Sequence, residues 1–372
     1  MVVYTLMNKN TELFDIEMSN GNIRKIENFR TDNFHLMPVY LNNSPNVDKV
    51  IEWWQGRRIP ASRDGIKELL FNLNDISLDA LAEKSLGLSL TDQYWIRPDV
   101  NIRWASVNFF ENDFSDDIGD LLITGEWNDG TLSSPDNTSD GAMRKRWKII
   151  DGERFLIKGS SDQFYQTEPF REVFASRIAE LLFEEDFSVR YNLIWEEDKK
   201  GKKVYSICKN FITPNTEYVP FTHFKDINGK IYNPEQYNVC KKIYGTYGCI
   251  LDLILILDYM VLNEDRHFGN FGMIRSANTG KFIKPAPVFD TGSSLFHNSV
   301  VTDREIVRAK PFSRNFDEQI KLVHVSDYRE NILSVKENVE KIFWEVFEDT
   351  FEDRNRLSMI LDVVKAQIDR LL

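Results

Sequence analysis

The stretch that decides the reading is Asn263-Glu264-Asp265-Arg266-His267-Phe268-Gly269-Asn270, followed by Val288-Phe289-Asp290-Thr291-Gly292. A carboxylate stands five positions before a carboxamide, and a second carboxylate comes twenty residues later. Just upstream, residues 249–262 form the most apolar run of the chain. It contains Asp252 and Asp258 and is too short to span a bilayer, so it reads as a buried core helix. Asp265 therefore falls on the loop where a core helix ends, with an anchored backbone and a side chain able to face a cleft.

A carboxylate so placed can orient an acceptor hydroxyl and take its proton. Asn270 offers a neutral oxygen ligand suited to Mg2+ between protein and phosphate. Residues 271–275 and 281–289 read as strands across the turn 276–280. That hairpin would return Asp290 to the side of Asn270 as the charged metal ligand. Phosphoryl transfer from ATP needs little more than positioned phosphates, a divalent metal and an acceptor hydroxyl near a carboxylate. Alone, Asp-Arg-His reads as a helix-end salt bridge, and His267 as a hydrogen-bonding brace. The ordered set carries the chemistry, and within it His267 stands with Asp265 as the catalytic pair.

Upstream residues supply the other half. Residues 146–150 and 153–158 read as strands joined by Asp151-Gly152, a strong hairpin signal. Lys158 ends the second strand, where an ammonium can meet nucleotide phosphates. Residues 168–182 read as a helix with Pro169 in its first turn and Phe170, Phe174, Ile178 and Leu181 on one face. Glu172 on that helix could hold Lys158. Residues 131–141 have the small residues and hydroxyls of a phosphate-covering loop, but neither glycine-rich nucleotide pattern; a surface loop accounts for them equally well.

The remaining chain is read more coarsely. Residues 2–6 and 12–18 alternate as strands; 47–55, 65–73 and 77–84 read as helices, the last capped by Ser77 or Asp79. Residues 88–98 read as structural packing, 107–120 as surrounding a short helix, and 188–195 with 203–207 as a strand pair. Residues 210–220 leave that sheet, and the chain beyond 237 is mainly helical, closing with helices at 335–349 and 355–372. The net charge of −12 argues against broad contact with a nucleic-acid backbone and with anionic membranes. Three cysteines without metal-ligand spacing suit a reducing compartment, and residues 1–14 show no signal-peptide pattern, so the expected location is cytoplasmic.

From about residue 128 onward the chain resembles the HipA-like serine/threonine kinases, including their CtkA-like branch. The most specific matches are Asp265 to Asn270 and the Asp290 segment. Phe155-Leu156-Ile157-Lys158 and the helix from Glu172 match less specifically. The resemblance implies an α+β, two-lobed protein-kinase-like fold, with a β-rich lobe at 126–220, an α-helical catalytic lobe at 221–372 and an N-terminal extension module at 1–125. It implies Asp265 as base, Asn270 and Asp290 as Mg2+ ligands, and Lys158 on the ATP phosphates. The backbone at 209–211, with Lys209 and Phe211, would be the hinge meeting adenine. Gly141-Ala142-Met143-Arg144-Lys145 resembles the end of the family's phosphate loop, Gly-Ala-Gln-Glu-Lys, and departs from it at Met143 and Arg144. Thr138, with Ser139 adjacent, aligns with a serine that is autophosphorylated in several members. The implied nucleotide set is thus Thr138, Ser139, Gly141, Lys145, Lys158, Glu172, Lys209 and Phe211. The implied activity is an ATP- and Mg2+-dependent protein serine/threonine kinase; the alternatives that share the motif are a small-molecule or lipid kinase and a catalytically silent nucleotide-binding regulator. Implied partners are a protein substrate bearing Ser or Thr and an antitoxin protein, without direct nucleic-acid or membrane binding.

Overall fold

The computed structural model describes residues 1–41, 44–63, 66–72, 76–124, 133–138, 143–161, 165–198, 201–297, 299, 301 and 307–372. In chain order the regular elements begin with strands β1 (Val2–Asn8), β2 (Thr11–Ser19) and β3 (Asn22–Glu27). Helices α1 (Val47–Arg57), α2 (Ile66–Asn72) and α3 (Leu78–Lys84) follow, then β4 (Tyr94–Arg97), α4 (Asp117–Thr124), β5 (Lys145–Ile150) and β6 (Glu153–Lys158). Next come α5 (Thr167–Leu182), β7 (Tyr191–Asp198), β8 (Gly201–Lys209) and β9 (Thr216–Pro220). The C-terminal part holds α6 (Glu235–Tyr244), α7 (Gly248–Val261), β10 (Gly272–Ser276), β11 (Phe282–Pro285), α8 (Phe316–Ile320), α9 (Arg329–Val346) and α10 (Arg354–Leu371).

These elements form two compact units, each discontinuous in sequence. The first comprises Met1–Lys158, Asn210–Val219 and Ile274–Ile283; the second comprises Gly159–Lys209, Pro220–Met273 and Lys284–Leu372. The chain changes unit at Val219–Pro220, beside the boundary expected at 220, but not near 125, and it changes again after Lys158, Lys209, Met273 and Ile283. The physical reason is a set of buried polar contacts that return β9 and the β10–β11 turn to the N-terminal sheet.

In the first unit an antiparallel sheet of order β3-β2-β1-β4 carries α1 on its core side. Leu6, Phe14, Ile16 and Met18 meet Trp53 and Trp54 there, all buried. Asn46 caps α1 by accepting from the Lys49 amide, and Ser77 caps α3 from Ala80. β3 and β4 escape the sequence reading for opposite reasons. All four residues of β4 are buried, so it lacks alternation, whereas β3 is an edge strand that exposes Arg24 and Lys25. β5 and β6 pair as the expected hairpin across Asp151-Gly152. Helix α4 begins at Asp117, near the end of the stretch expected to surround it.

Arg275 is the hub of this unit. Its Nη1 donates to Glu217 Oε1 (2.6 Å), the Met37 carbonyl (2.9 Å) and Tyr94 Oη (3.2 Å). Nη2 donates to the His35 carbonyl at 2.5 Å and Nε to Gly280 O at 2.8 Å. Gln93 adds two bonds, to the carbonyls of Thr213 (2.9 Å) and Thr216 (2.5 Å). These contacts span the three separated segments of the unit.

The second unit has one large core, built from α5, α7, α9 and α10 with the β7–β8 hairpin. Phe170 and Phe174 of α5 meet Phe343 and Phe347 of α9. Helix α9 starts six residues earlier than the expected 335, because its buried face of Ile332, Val335, Val339 and Phe343 continues upstream. The stretch Glu235–Val261, covering α6 and α7, is long and apolar enough to cross a membrane by length and composition, and 72% of its most apolar window is buried.

Removing Glu217 would strand the Arg275 guanidinium in a site where both side chains are nearly inaccessible. Glu217→Ala is expected to destabilise the first unit by about 3–5 kcal/mol in urea unfolding.

Candidate active site

The site of the second unit starts with helix α7, apolar over most of its length and buried from Ile250 to Val261. Asp258 is its one fully buried charge near the C-terminal end. The helix stops at Leu262, which adopts a left-handed conformation (φ 51°) and donates its amide to Asp258 O. The next amide, Asn263 N, shares the same carbonyl at 3.0 Å. The chain is thereby turned sharply into the 263–270 loop.

Arg266 then folds back onto Asp258. Its Nε meets Oδ2 at 2.9 Å and its Nη2 meets Oδ1 at 3.0 Å, a two-pronged pair with both side chains fully buried. Asn263 Nδ2 adds a further donor to Oδ1 at 2.9 Å. The third nitrogen, Nη1, donates to Asn270 O (3.0 Å) and to Phe289 O (2.7 Å). One guanidinium thus ties the residue carrying the candidate amide ligand to the residue just before Asp290.

The loop is also pinned by its apolar side chains. Phe268 packs on Phe271 and Phe312 at ring-centroid distances of 5.8 and 5.9 Å. The main chain bonds Thr222 N to Phe268 O and Phe221 N to Phe271 O, both at 3.1 Å. His267 Nδ1 accepts the Gly269 amide at 3.0 Å, which makes Nδ1 the unprotonated ring nitrogen. A Cβ at Gly269 would lie 2.8 Å from that ring and would displace it. His267, expected beside Asp265 as a catalytic group, is used here as a brace for the turn.

Asn270 is buried and donates Nδ2 to Asp265 O at 3.0 Å, which turns its Oδ1 the other way as the acceptor end. Asp265 keeps its side chain 44% exposed, open to an incoming hydroxyl, and receives Lys310 Nζ on Oδ1 at 2.8 Å. Its neighbour Glu264 has a carboxyl raised above the ordinary range, by burial foremost.

Asp290 arrives by the expected hairpin, but β11 ends at Pro285 instead of continuing to 289. Residues beyond it leave the hairpin for another partner. Val288 N donates to Phe187 O (2.8 Å) and Val288 O accepts from Val189 N (3.0 Å), a short parallel bridge beside Ser188. Asp290 itself takes a left-handed backbone conformation, φ 57°. The following amide, Thr291 N, donates to Glu172 Oε1 at 3.1 Å. A Cβ on Gly292 would sit 3.1 Å from Glu172 Oε2 and 3.6 Å from Glu168 Cβ, so this turn lies tight against α5. Glu172 therefore positions the Asp290 turn.

No protein-family model matches the chain. Among curated proteins, the serine/threonine-protein kinase CtkA of Helicobacter pylori strain J99 is 29% identical over 108 residues, 25% of this chain. The match spans 32% of that relative's length. Among solved structures, a Helicobacter pylori proinflammatory kinase CtkA aligns with 61% of this chain and 92% of its own, at 18% identity and a TM-score of 0.46. The HipA toxin of Shewanella oneidensis MR-1, solved with HipB and operator DNA, aligns with 99% of this chain and 97% of its own. That alignment has a TM-score of 0.59 at 10% identity. The chain has the HipA-type fold.

Within this HipA-type fold the second unit brings together Asp265, His267, Asn270, Asp290 and Glu172, and also contains Lys209. The first unit contains Thr138, Lys145, Lys158 and Phe211. Lys158 is buried at the end of β6, and Lys145 stands directly opposite it across the β5–β6 ladder. Lys209 is the exposed last residue of β8, and the chain changes unit immediately after it. Phe211 packs edge-on against Tyr218 at 6.1 Å. Thr138 is buried, its hydroxyl donated to Leu88 O at 2.5 Å, so it is packed into the first unit with no surface for a phosphate. Ser139 and Gly141, with most of the expected phosphate loop, lie outside the described residues.

Sequence reasoning missed Asp258, Lys310 and a clamp on the segment after Asp290. In that clamp Arg171, fully buried, pairs with Glu352 (2.6 and 3.0 Å) and donates to Leu295 O at 3.3 Å. Arg356 pairs with the same Glu352 and reaches Phe296 O and Ser299 O. Burial alone would raise the Glu352 carboxyl, but the two guanidinium groups outweigh it and hold it below the ordinary range. An acidic residue inside an otherwise apolar helix was the available signal for Asp258; the others pair across 45 and 181 positions and left none.

Asp258→Ala would leave Arg266 buried without its counter-charge. The expected cost is about 3–5 kcal/mol of stability. Amide hydrogen exchange at Gly269 and Asn270 should accelerate more than exchange in α5, because the loop loses its anchor first.

Proposed function

We propose that this chain is an ATP- and Mg2+-dependent protein serine/threonine kinase of the HipA type. The observation that carries the reading is the Arg266 bridge, one buried guanidinium bonded to the backbone of Asn270 and of Phe289. It gives an amide oxygen and a carboxylate a shared, preset support, beside an accessible carboxylate at Asp265. Asn270 Oδ1 and the Asp290 carboxylate are hard oxygen donors, and so few protein ligands suit Mg2+, which keeps water and phosphate oxygens in its shell. The metal would supply charge neutralisation on the nucleotide phosphates.

The protein's own groups account for the rest of the proposed reaction. Asp265 orients the acceptor hydroxyl and receives its proton. Lys145 and Lys158 stand opposite each other across the β5–β6 ladder, and their ammonium groups are the proposed contacts to the nucleotide phosphates. Residues 209–211 remain the proposed adenine contact. A HipB-like antitoxin belongs to the same proposal, since the solved HipA is held in a complex with HipB and operator DNA. The charge of −12 favours leaving nucleic-acid contact to such a partner, and a cytoplasmic location is part of the same proposal.

The test is transfer of label from γ-labelled ATP with Mg2+ to the chain itself and to cell-lysate proteins. Asp265→Ala and Asp290→Ala are each expected to lower transfer by about 10²- to 10⁴-fold. Equal labelling by wild type and both variants would overturn the reading.

A further inference from the structure

One charged group of the second unit reaches the reacting carboxylate without a role so far. Lys310 donates to Asp265 Oδ1 at 2.8 Å, with the two side chains 27% and 44% exposed. As a stability device such a half-exposed pair is worth little. Its backbone is nonetheless held by an unusual number of contacts. Gln319, 2% exposed, donates Nε2 to Lys310 O at 2.8 Å. The same carboxamide accepts from Phe312 N (2.9 Å) and Ser313 N (3.1 Å), so one donor and both acceptor positions of the group hold this turn. Ala309 N closes the turn onto Arg314 O at 3.0 Å. Two residues after Lys310, Phe312 packs on Phe268 and Phe271, the rings that pin the catalytic loop itself.

The lysine and Asp265 are thus mounted on the same aromatic cluster by separate segments of chain. An ammonium fixed on one carboxylate oxygen stops rotation of the group and leaves Oδ2 for the acceptor hydroxyl. We propose that Lys310 is a positioning residue for phosphoryl transfer, acting through Asp265; this rests on the kinase reading above. In the step it serves, the acceptor oxygen forms its bond to the γ-phosphorus as the bond to the ADP oxygen breaks. The hydroxyl proton passes to Asp265 Oδ2.

The experiment compares wild type, Asp265→Ala, Lys310→Gln and Lys310→Arg, with Mg·ATP as donor and both the chain itself and dephosphorylated casein as acceptors. Lys310→Gln is expected to lower kcat by about 10- to 100-fold, as misplacement of a reacting group does. Affinity for ATP and the melting temperature should stay at the wild-type values, and Lys310→Arg should recover part of kcat. If wild type is active, Asp265→Ala is dead and Lys310→Gln keeps kcat within twofold, the positioning role is overturned while the kinase reading stands. A parallel loss of kcat, ATP affinity and melting temperature would equally overturn it, by making Lys310 a structural residue. If wild type transfers no phosphate, or Asp265→Ala matches it, the kinase reading fails and this inference falls with it.

Discussion

The site depends on one buried ion pair, Asp258 with Arg266. A carboxylate without a partner inside a helix this apolar would be prohibitively costly, and a guanidinium under the loop would be equally so. Together they satisfy each other, and the guanidinium retains one nitrogen for two backbone carbonyls. Those carbonyls belong to separate segments, the loop after α7 and the stretch between β11 and Asp290. The pair is weak evidence for net stability, since an apolar replacement of both members can match it. Its value lies in register: it fixes where two segments lie relative to each other to within a hydrogen bond.

Much of this was legible beforehand. The core helix, the loop, the hairpin and the Asp290 turn all follow from a long apolar run, a turn and a spaced set of polar residues. What the sequence left hidden was the means of fixing them. The pairing of Asp258 with Arg266 spans eight positions but is silent in periodicity, because the helix is buried on nearly every side. Glu172 was read as a partner for Lys158, and the geometry shows it holding the amide after Asp290. The backbone donor it serves carries no residue-type signature. Thr138 shows the converse limit: it aligns with a serine that is autophosphorylated in several HipA-like kinases, and here its hydroxyl is bonded to the Leu88 carbonyl in a buried setting.

Fold-level and site-level information also differ in how they survive. An alignment over nearly the whole chain at 10% identity preserves an architecture, and few individual contacts are required to do so. The 263–270 loop is more demanding, since a side chain at Gly269 would press on the His267 ring that braces the turn. The N-terminal sheet answers to a different requirement, the burial of Arg275 among carbonyls of residues 35 and 37.

That hub has a consequence for the order in which the protein can be made. His35 and Arg275 are 240 positions apart, and Tyr94 and Arg275 are 181. Strands β1 to β4 leave the ribosome early, yet the ion that neutralises and closes their unit is translated only after most of the second unit's first half. The first unit therefore lacks its last segment until Ile283 has been made, and at that point the second unit still lacks α9 and α10. A chain threaded in this way offers no internal cut that would release either unit whole.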